Sequence, residues 1–154
     1  MRLVVAVVGK ARHRAIGEAI RDYEQRAARY WPLDVHEVRE ERAAGMEAEK
    51  VMQREGERLS QRVPRGAQQI ACAIGGKSFT SNQFAELLRS ARDDDRDVAF
   101  LIGGAYGLHP SVAASSSVKL ALAPWTLPHE IARLVLAEQI YRAGTIVRGE
   151  PYHK

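Results

Sequence analysis

The chain has 154 residues, 45% of them apolar and 27% charged, with a formal net charge of +4 and a sequence pI near 9.5. That length suits one domain able to bury roughly two thirds of its unfolded surface, and the apolar content excludes a disordered chain. Cys72 is the single cysteine, which excludes an intrachain disulfide framework and a multi-cysteine metal site. No apolar run approaches the ~20 residues that span a bilayer, and the positive charge favours a polyanionic partner only slightly.

Leu3–Val8 is an uninterrupted Val-rich run, the pattern of a strand covered on both faces. It is a poor signal peptide, because Gly9-Lys10 leads straight into charged sequence without a cleavage-like site; the expected location is the cytoplasm. Ile16, Ala19, Ile20, Tyr23, Ala27 and Tyr30 recur at helical spacing and predict a helix stopped by Pro32. Leu33–Val38, with its charged neighbours, predicts a half-exposed or edge strand, followed by a polar loop over residues 39–45. Residues 46–62 form the next expected helix, ended by Val63-Pro64-Arg65-Gly66.

A short strand over residues 69–74 is expected to close at Gly75-Gly76. Thr80 and Gln83 have the spacing of a capping box, opening a helix through Phe84, Leu87, Leu88 and Ala91. Asp93-Asp94-Asp95 reads as a solvated loop, since three consecutive carboxylates do not point the same way. Val98–Ile102 and residues 118–122 predict two further strands, with Ser115-Ser116-Ser117 as a small-residue turn between them. Pro128 suits the first turn of a helix running from about 129 to 143, with Ile131, Leu134, Val135, Glu138 and Tyr141 as its stripe. Strands alternating with helices predict an α/β fold, a mostly parallel sheet flanked by helices, in one domain over residues 1–154.

Open α/β sheets bind ligands at the carboxyl ends of their strands. Three such ends carry glycine or proline: Ile74-Gly75-Gly76-Lys77, Ile102-Gly103-Gly104, and Ala123-Pro124-Trp125-Thr126-Leu127-Pro128. Gly76-Lys77-Ser78 imitates the end of a phosphate-binding P-loop, but Ala71 stands where that motif needs its first glycine. Gly103-Gly104-Ala105-Tyr106-Gly107 lacks the dinucleotide-binding spacing, and no G-x-S-x-G elbow occurs. His13, His36, His109, His129 and His153 are scattered without metal-ligand spacing, so no metal is expected. Hydrolysis needs a positioned nucleophile or metal. Methyl transfer from a sulfonium donor needs chiefly in-line positioning, because the leaving group is already activated, and the sequence fits it better.

Leu101-Ile102-Gly103-Gly104, Thr126-Leu127-Pro128-His129, Glu138-Gln139-Ile140-Tyr141-Arg142-Ala143 and Pro151-Tyr152-His153 resemble, in wording and order, the SPOUT class of RNA methyltransferases. Within that class they are most similar to the small bacterial enzymes that methylate N3 of a pseudouridine in the large-subunit (23S) ribosomal RNA, and the likeness covers nearly the whole chain. The resemblance implies a C-terminal deep trefoil knot, a homodimer, and S-adenosylmethionine as methyl donor; a small single domain has little surface for reading a long RNA site, so the assembled ribosome is the expected substrate. By position it assigns Cys72, Ala73, Gly103, Gly104, Leu122, Ala123, Pro124, Trp125, Thr126, Leu127 and Pro128 to the donor. Relatives often carry Leu and then an acidic residue where this chain has Cys72-Ala73, and smaller residues in place of Pro124-Trp125. Main-chain contacts can survive both departures.

For the RNA side the resemblance points to Arg142, Tyr152 and His153, with Lys154 beside them: Arg binds phosphate bidentately and Tyr or His stacks on an extruded base. It implies a tail ordered beside the donor pocket, and leaves open whether His153 or water assists deprotonation of the base. Lys10, Arg12, His13 and Arg14 form a second basic cluster suited to RNA phosphates or to solvating a helix start. The alternative from another class is a non-catalytic ribosome-binding or assembly factor, for which basic charge and an α/β fold suffice.

Overall fold

A computed structural model describes Met1 to Lys154. The elements run β1 (Leu3–Val8), α1 (Arg14–Ala27), β2 (Leu33–Val38), α2 (Ala48–Ser60), β3 (Gln68–Ser78), α3 (Ser81–Asp93), β4 (Val98–Ile102), α4 (Pro110–Ser115), β5 (Val118–Ala121) and α5 (His129–Arg148). The strands form one parallel sheet in the order β2-β1-β4-β3-β5.

Successive side chains of a strand point to opposite faces, and this explains why β1 and β4 carry no polar residue. Leu3, Val5, Val7, Val98, Phe100 and Ile102 join the larger core beneath α1, α3 and α5. Ala6, Val8 and Leu101 pack on the other face with Val38, Leu59 and Val112. Edge strand β2 mixes half-buried and exposed positions, with Asp34 and Glu37 exposed and only Val38 buried. The capping box at Thr80–Gln83 is present in both directions, at 3.2 and 2.9 Å. No helix is long and apolar enough to cross a membrane.

The structure departs from the sequence expectations in four places. Helix α1 ends at Ala27, before Tyr30, because the chain turns to bury Trp31, whose indole Nε1–H donates to the Ile140 carbonyl at 3.0 Å. Strand β3 does not close at its glycines. Its pairing with β5 shifts register between Cys72 and Lys77, where Gly75 has φ +74° and a Cβ on Gly76 would lie 2.6 Å from the Lys119 carbonyl oxygen. The glycines thus let the strand bend and continue to Ser78.

Helix α5 runs five residues past Ala143, straight through Gly144, because the Tyr30 ring occupies the space a side chain there would fill. Its buried face is Ala132, Leu136, Ile140 and Ala143; Ile131, Leu134, Val135, Glu138 and Tyr141 are half-buried. The helical period holds, but the small alanines, rather than the bulkier set, allow close approach to the sheet. Short helix α4 replaces a simple turn before residues 115–117, opened by Pro110 and by the His109 ring accepting from the Ser111 N–H at 3.2 Å.

Candidate functional site

The ends of β3 and β5 and the start of α5 enclose a small cleft of about 60 Å³ lined entirely by apolar residues: Cys72, Ala73, Ile74, Leu122, Ala123, Trp125, Leu127 and Ala132. Six residues assigned to the donor from sequence therefore meet at one place. Gly103, Gly104, Pro124, Thr126 and Pro128 do not line it, while Ile74 and Ala132 join it. Trp125 is 76% exposed and Ile74 66% exposed, so the rim presents two large apolar faces. Burial pushes the Cys72 thiol up to about 12, which leaves it a neutral, non-nucleophilic wall residue.

Gly103 is glycine for a reason internal to the chain. A Cβ there would collide with the Gly107 backbone and lie 2.6 Å from the Leu108 nitrogen. Gly104 and Gly107 form an isolated antiparallel bridge that closes this turn. The glycines after β4 thus build a tight backbone turn, and no ligand is needed to explain Gly103. Near the other loop, His129 Nε2 is buried and has no hydrogen-bond partner.

The C-terminal tail is tied down. Gly149 adopts a left-handed conformation (φ +68°), and the Glu150 N–H returns to the Thr145 carbonyl at 2.9 Å, a C-cap that reverses the chain onto α5. Glu138 then gathers the predicted RNA-side residues. It accepts from Arg142 Nη2 at 2.5 Å and Nε at 3.0 Å, and from the Tyr152 hydroxyl at 3.1 Å. The Arg142 guanidinium stacks 4.7 Å from the Tyr152 ring centroid, and His153 Nδ1 lies 3.3 Å from Arg142 Nη1. Burial, then hydrogen bonding with Tyr23 and Glu138, pushes the Tyr152 phenol well above its usual value, so it stays protonated and donates. Arg142, Tyr152 and His153 form one cluster organised by Glu138, a residue that the sequence placed in a helical stripe and a family motif without giving it a role.

That cluster is not beside the apolar cleft of the same chain. Ala132 and Arg142 are ten residues apart on α5, roughly 15 Å along the axis at ~1.5 Å per residue. The second basic cluster is largely neutralised: Arg12 pairs with Glu40 at 2.5 Å and Arg14 with Glu18 at 2.8 Å. The Arg12 and His13 N–H groups bond the Glu130 carboxylate, which these bonds hold below the usual carboxylate range. Lys10 remains exposed and unpaired.

The family model described as a predicted SPOUT methyltransferase matches residues 1–153. The chain belongs to the SPOUT methyltransferase family. Its full-length SPOUT relatives include the Ribosomal RNA large subunit methyltransferase H of Gemmatimonas aurantiaca, 56% identical over 154 residues and covering 100% of both chains. The proteins of the same name from Nitrosomonas eutropha and Clostridium beijerinckii are 38% and 35% identical, covering 100% of this chain and 99% and 100% of their own. Among solved structures, TrmJ from Z. mobilis ZM4 aligns over 93% of this chain and 70% of its own, with 12% identity and a TM-score of 0.49.

Two charged groups lie in this SPOUT fold where the sequence raised no expectation. Arg133, 7% exposed, bridges α1 and β2 by donating to Glu24 at 2.8 and 3.2 Å and to Glu37 at 2.6 Å. Burial works against its charge, but those bonds outweigh burial and raise its pKa. Glu55, 3% exposed, sits between Val51 and Leu59 on the buried stripe of α2. A charged residue inside an apolar helical stripe is the signal that marks both. No group of His, Cys, Asp and Glu side chains is arranged to hold a metal ion.

Proposed function

We propose that this protein is an S-adenosylmethionine-dependent methyltransferase that modifies N3 of a pseudouridine in 23S ribosomal RNA, acting in the cytoplasm as a homodimer on the assembled ribosome. The observation that carries the rRNA part is full-length identity of 56% to a protein named Ribosomal RNA large subunit methyltransferase H. The apolar cleft supports the donor part. Its wall of Cys72, Ala73, Leu122, Ala123 and Leu127 and its Trp125 and Ile74 rim suit an adenine ring, with main-chain groups of the 122–128 loop supplying polarity. The unpartnered His129 Nε2 at the end of that loop offers a further polar group. The trefoil knot implied by the family belongs to the same proposal.

S-adenosylmethionine, when bound, supplies an already activated methyl group. The chain's own contribution is to place the acceptor nitrogen in line with it and to exclude water. Tyr152 offers a ring for stacking and an O–H for donation, and Arg142 offers a guanidinium for phosphate. The ~15 Å between tail and cleft along α5 supports a dimer in which the tail of one copy meets the donor cleft of the other. The half-buried Ile131, Leu134 and Val135 flank of α5 and the exposed Trp125 suit such a partner surface.

Titration calorimetry with S-adenosylmethionine tests the donor, and absence of binding at millimolar ligand overturns it. Methylation of intact ribosomes, separated subunits and naked rRNA, with the modified position mapped, tests the substrate. A protein that binds ribosomes but neither the donor nor a methyl acceptor is a ribosome-binding factor instead.

A further inference from the structure

We propose that a second cleft, at the carboxyl ends of β1 and β2, is a docking groove for the RNA backbone beside the nucleotide that is methylated. The groove is about 1070 Å³, and Lys10, Arg39, Arg42 and Tyr106 line it. It shares no lining residue with the apolar cleft at the ends of β3 and β5. Both open on the same edge of the sheet. Val7, Ile102 and Cys72 stand in one row of the pairing register. With neighbouring strands ~4.8 Å apart, the end of β1 is about 10 Å from the wall of the apolar cleft. A strand with one base in that cleft has its neighbouring phosphates within reach of the groove.

Charge in the groove is sorted by accessibility. Glu37 is bonded by Arg133, Glu40 by Arg12, and Glu41 by Arg54 and Arg58, while Glu55 is buried. Lys10, Arg39 and Arg42 are exposed, and their side chains carry neither an ion pair nor a hydrogen bond. Free cations beside neutralised carboxylates suit a partner that brings its own negative charge.

Anchored backbone holds those cations in place. The Gly9 N–H donates to the Val38 carbonyl at 2.9 Å, which sets Lys10 beside Arg39. The Arg39 carbonyl accepts from Arg58 at 2.8 Å, and the Glu41 N–H donates to Glu55 Oε1 at 2.9 Å. Arg54 and Arg58 also grip the Glu41 side chain, so the segment from Arg39 to Arg42 is fixed from below. The other Glu55 oxygen packs against Gly104, in the turn that carries Tyr106. Glu55 is thus a buried post between the two walls and faces the chain alone. A groove built this way loses little freedom on binding.

Tyr106 is 49% exposed on a turn closed by the Gly104–Gly107 bridge. A half-open ring beside free cations matches single-stranded RNA, which pairs a phosphate chain with bases that stack on any aromatic face. An acidic protein surface matches the cations but gives the ring no flat partner. That the RNA is ribosomal rests on the function proposed above; the groove itself does not.

The test is fluorescence anisotropy of the full chain with a labelled oligouridylate of about ten nucleotides, across roughly 50 to 200 mM potassium chloride, beside methylation kinetics on ribosomes. Lys10→Ala/Arg39→Ala/Arg42→Ala should weaken RNA binding at least ~10-fold and flatten the slope of log affinity against log salt by about two, at roughly 0.7 per phosphate contact. Arg29→Ala/Arg62→Ala/Arg65→Ala removes three exposed, unpaired cations from the opposite edge of the sheet, and should keep both values. Tyr106→Ala should weaken binding at least about fivefold without changing the slope, and Tyr106→Phe should restore it. On ribosomes the groove variant should show a raised KM with circular dichroism and S-adenosylmethionine affinity held. Parent-like RNA binding by the groove variant, or an equal loss in the charge-matched one, overturns the proposal. Lost ribosome binding with oligouridylate binding intact also overturns it, and makes an acidic protein the occupant. A parent-like KM for ribosomes in the groove variant sinks the groove alone. Groove-dependent RNA binding without donor binding sinks the methyltransferase function alone.

Discussion

Replacing Arg133 with Met removes the guanidinium that bridges Glu24 and Glu37 while keeping most of its apolar volume. Breaking a buried ion pair by deleting one partner costs about 3–5 kcal/mol, because the remaining charge is left uncompensated. The Glu24 and Glu37 side chains are 16% and 32% exposed, so water recovers part of the loss; about 2–3 kcal/mol remains. For a chain of this size that lowers Tm by roughly 4–12 °C, at about 2–4 °C per kcal/mol. Thermal and urea unfolding at pH 7 measure it. The triple variant Glu24→Gln/Glu37→Gln/Arg133→Met should recover most of the loss, since no unpaired carboxylate survives in it. A single variant within about 0.5 kcal/mol of the parent, or a triple variant no more stable than the single, refutes the assignment of that energy to stranded charge.

Glu55→Gln should raise Tm at pH 7. The folded carboxyl has a raised pKa, so its favourable contribution is complete below the unfolded value near ~4.3 and is lost as pH rises through the folded value. The gain over the parent should therefore shrink on acidification toward pH ~4; a gain that grows on acidification contradicts this. Gly103→Ala forces a Cβ into the Gly107–Leu108 backbone, and should cost about 1–3 kcal/mol or more in urea unfolding; parent-like stability would show that the turn can yield. Gly144→Ala drives a Cβ to 2.6 Å from Tyr30 Cβ, and a similar loss of about 1–3 kcal/mol should appear in thermal unfolding. Tyr152→Ala/His153→Ala should abolish rRNA methylation and leave calorimetric donor binding unchanged; retained methylation removes the tail from the reaction.

Local rules made much of this fold legible. The unbroken apolar runs Leu3–Val8 and Val98–Ile102 are the central strands because both their faces are covered. The Thr80–Gln83 box starts α3, and charge along Leu33–Val38 marks an edge. Legibility fell where a distant group decides the outcome. Gly75-Gly76 looked like a strand end, yet Lys119 on β5 gives the bent chain a partner to continue along. The last helix is expected only to about residue 143, yet it continues through Gly144, whose missing side chain Tyr30 fills. At the site, Cys72, Ala73, Leu122, Ala123, Trp125 and Leu127 meet in one apolar cleft, and Gly103 meets the steric demand of a backbone turn.

By itself the sequence determined the alternation of strands and helices, the parallel class of the sheet, and a tail rich in recognition chemistry. These follow from short-range periodicity and residue type, which act over a few neighbours. Only the tertiary structure decided which face of α5 is buried, that Glu138 gathers Arg142, Tyr152 and His153, and that tail and apolar cleft lie at opposite halves of one helix. It alone set Arg133 between Glu24 and Glu37, and Glu55 beneath Gly104 without a partner. Those outcomes depend on which residues distant in sequence share one desolvated space, and burial and pairing across such distances leave no local pattern to read.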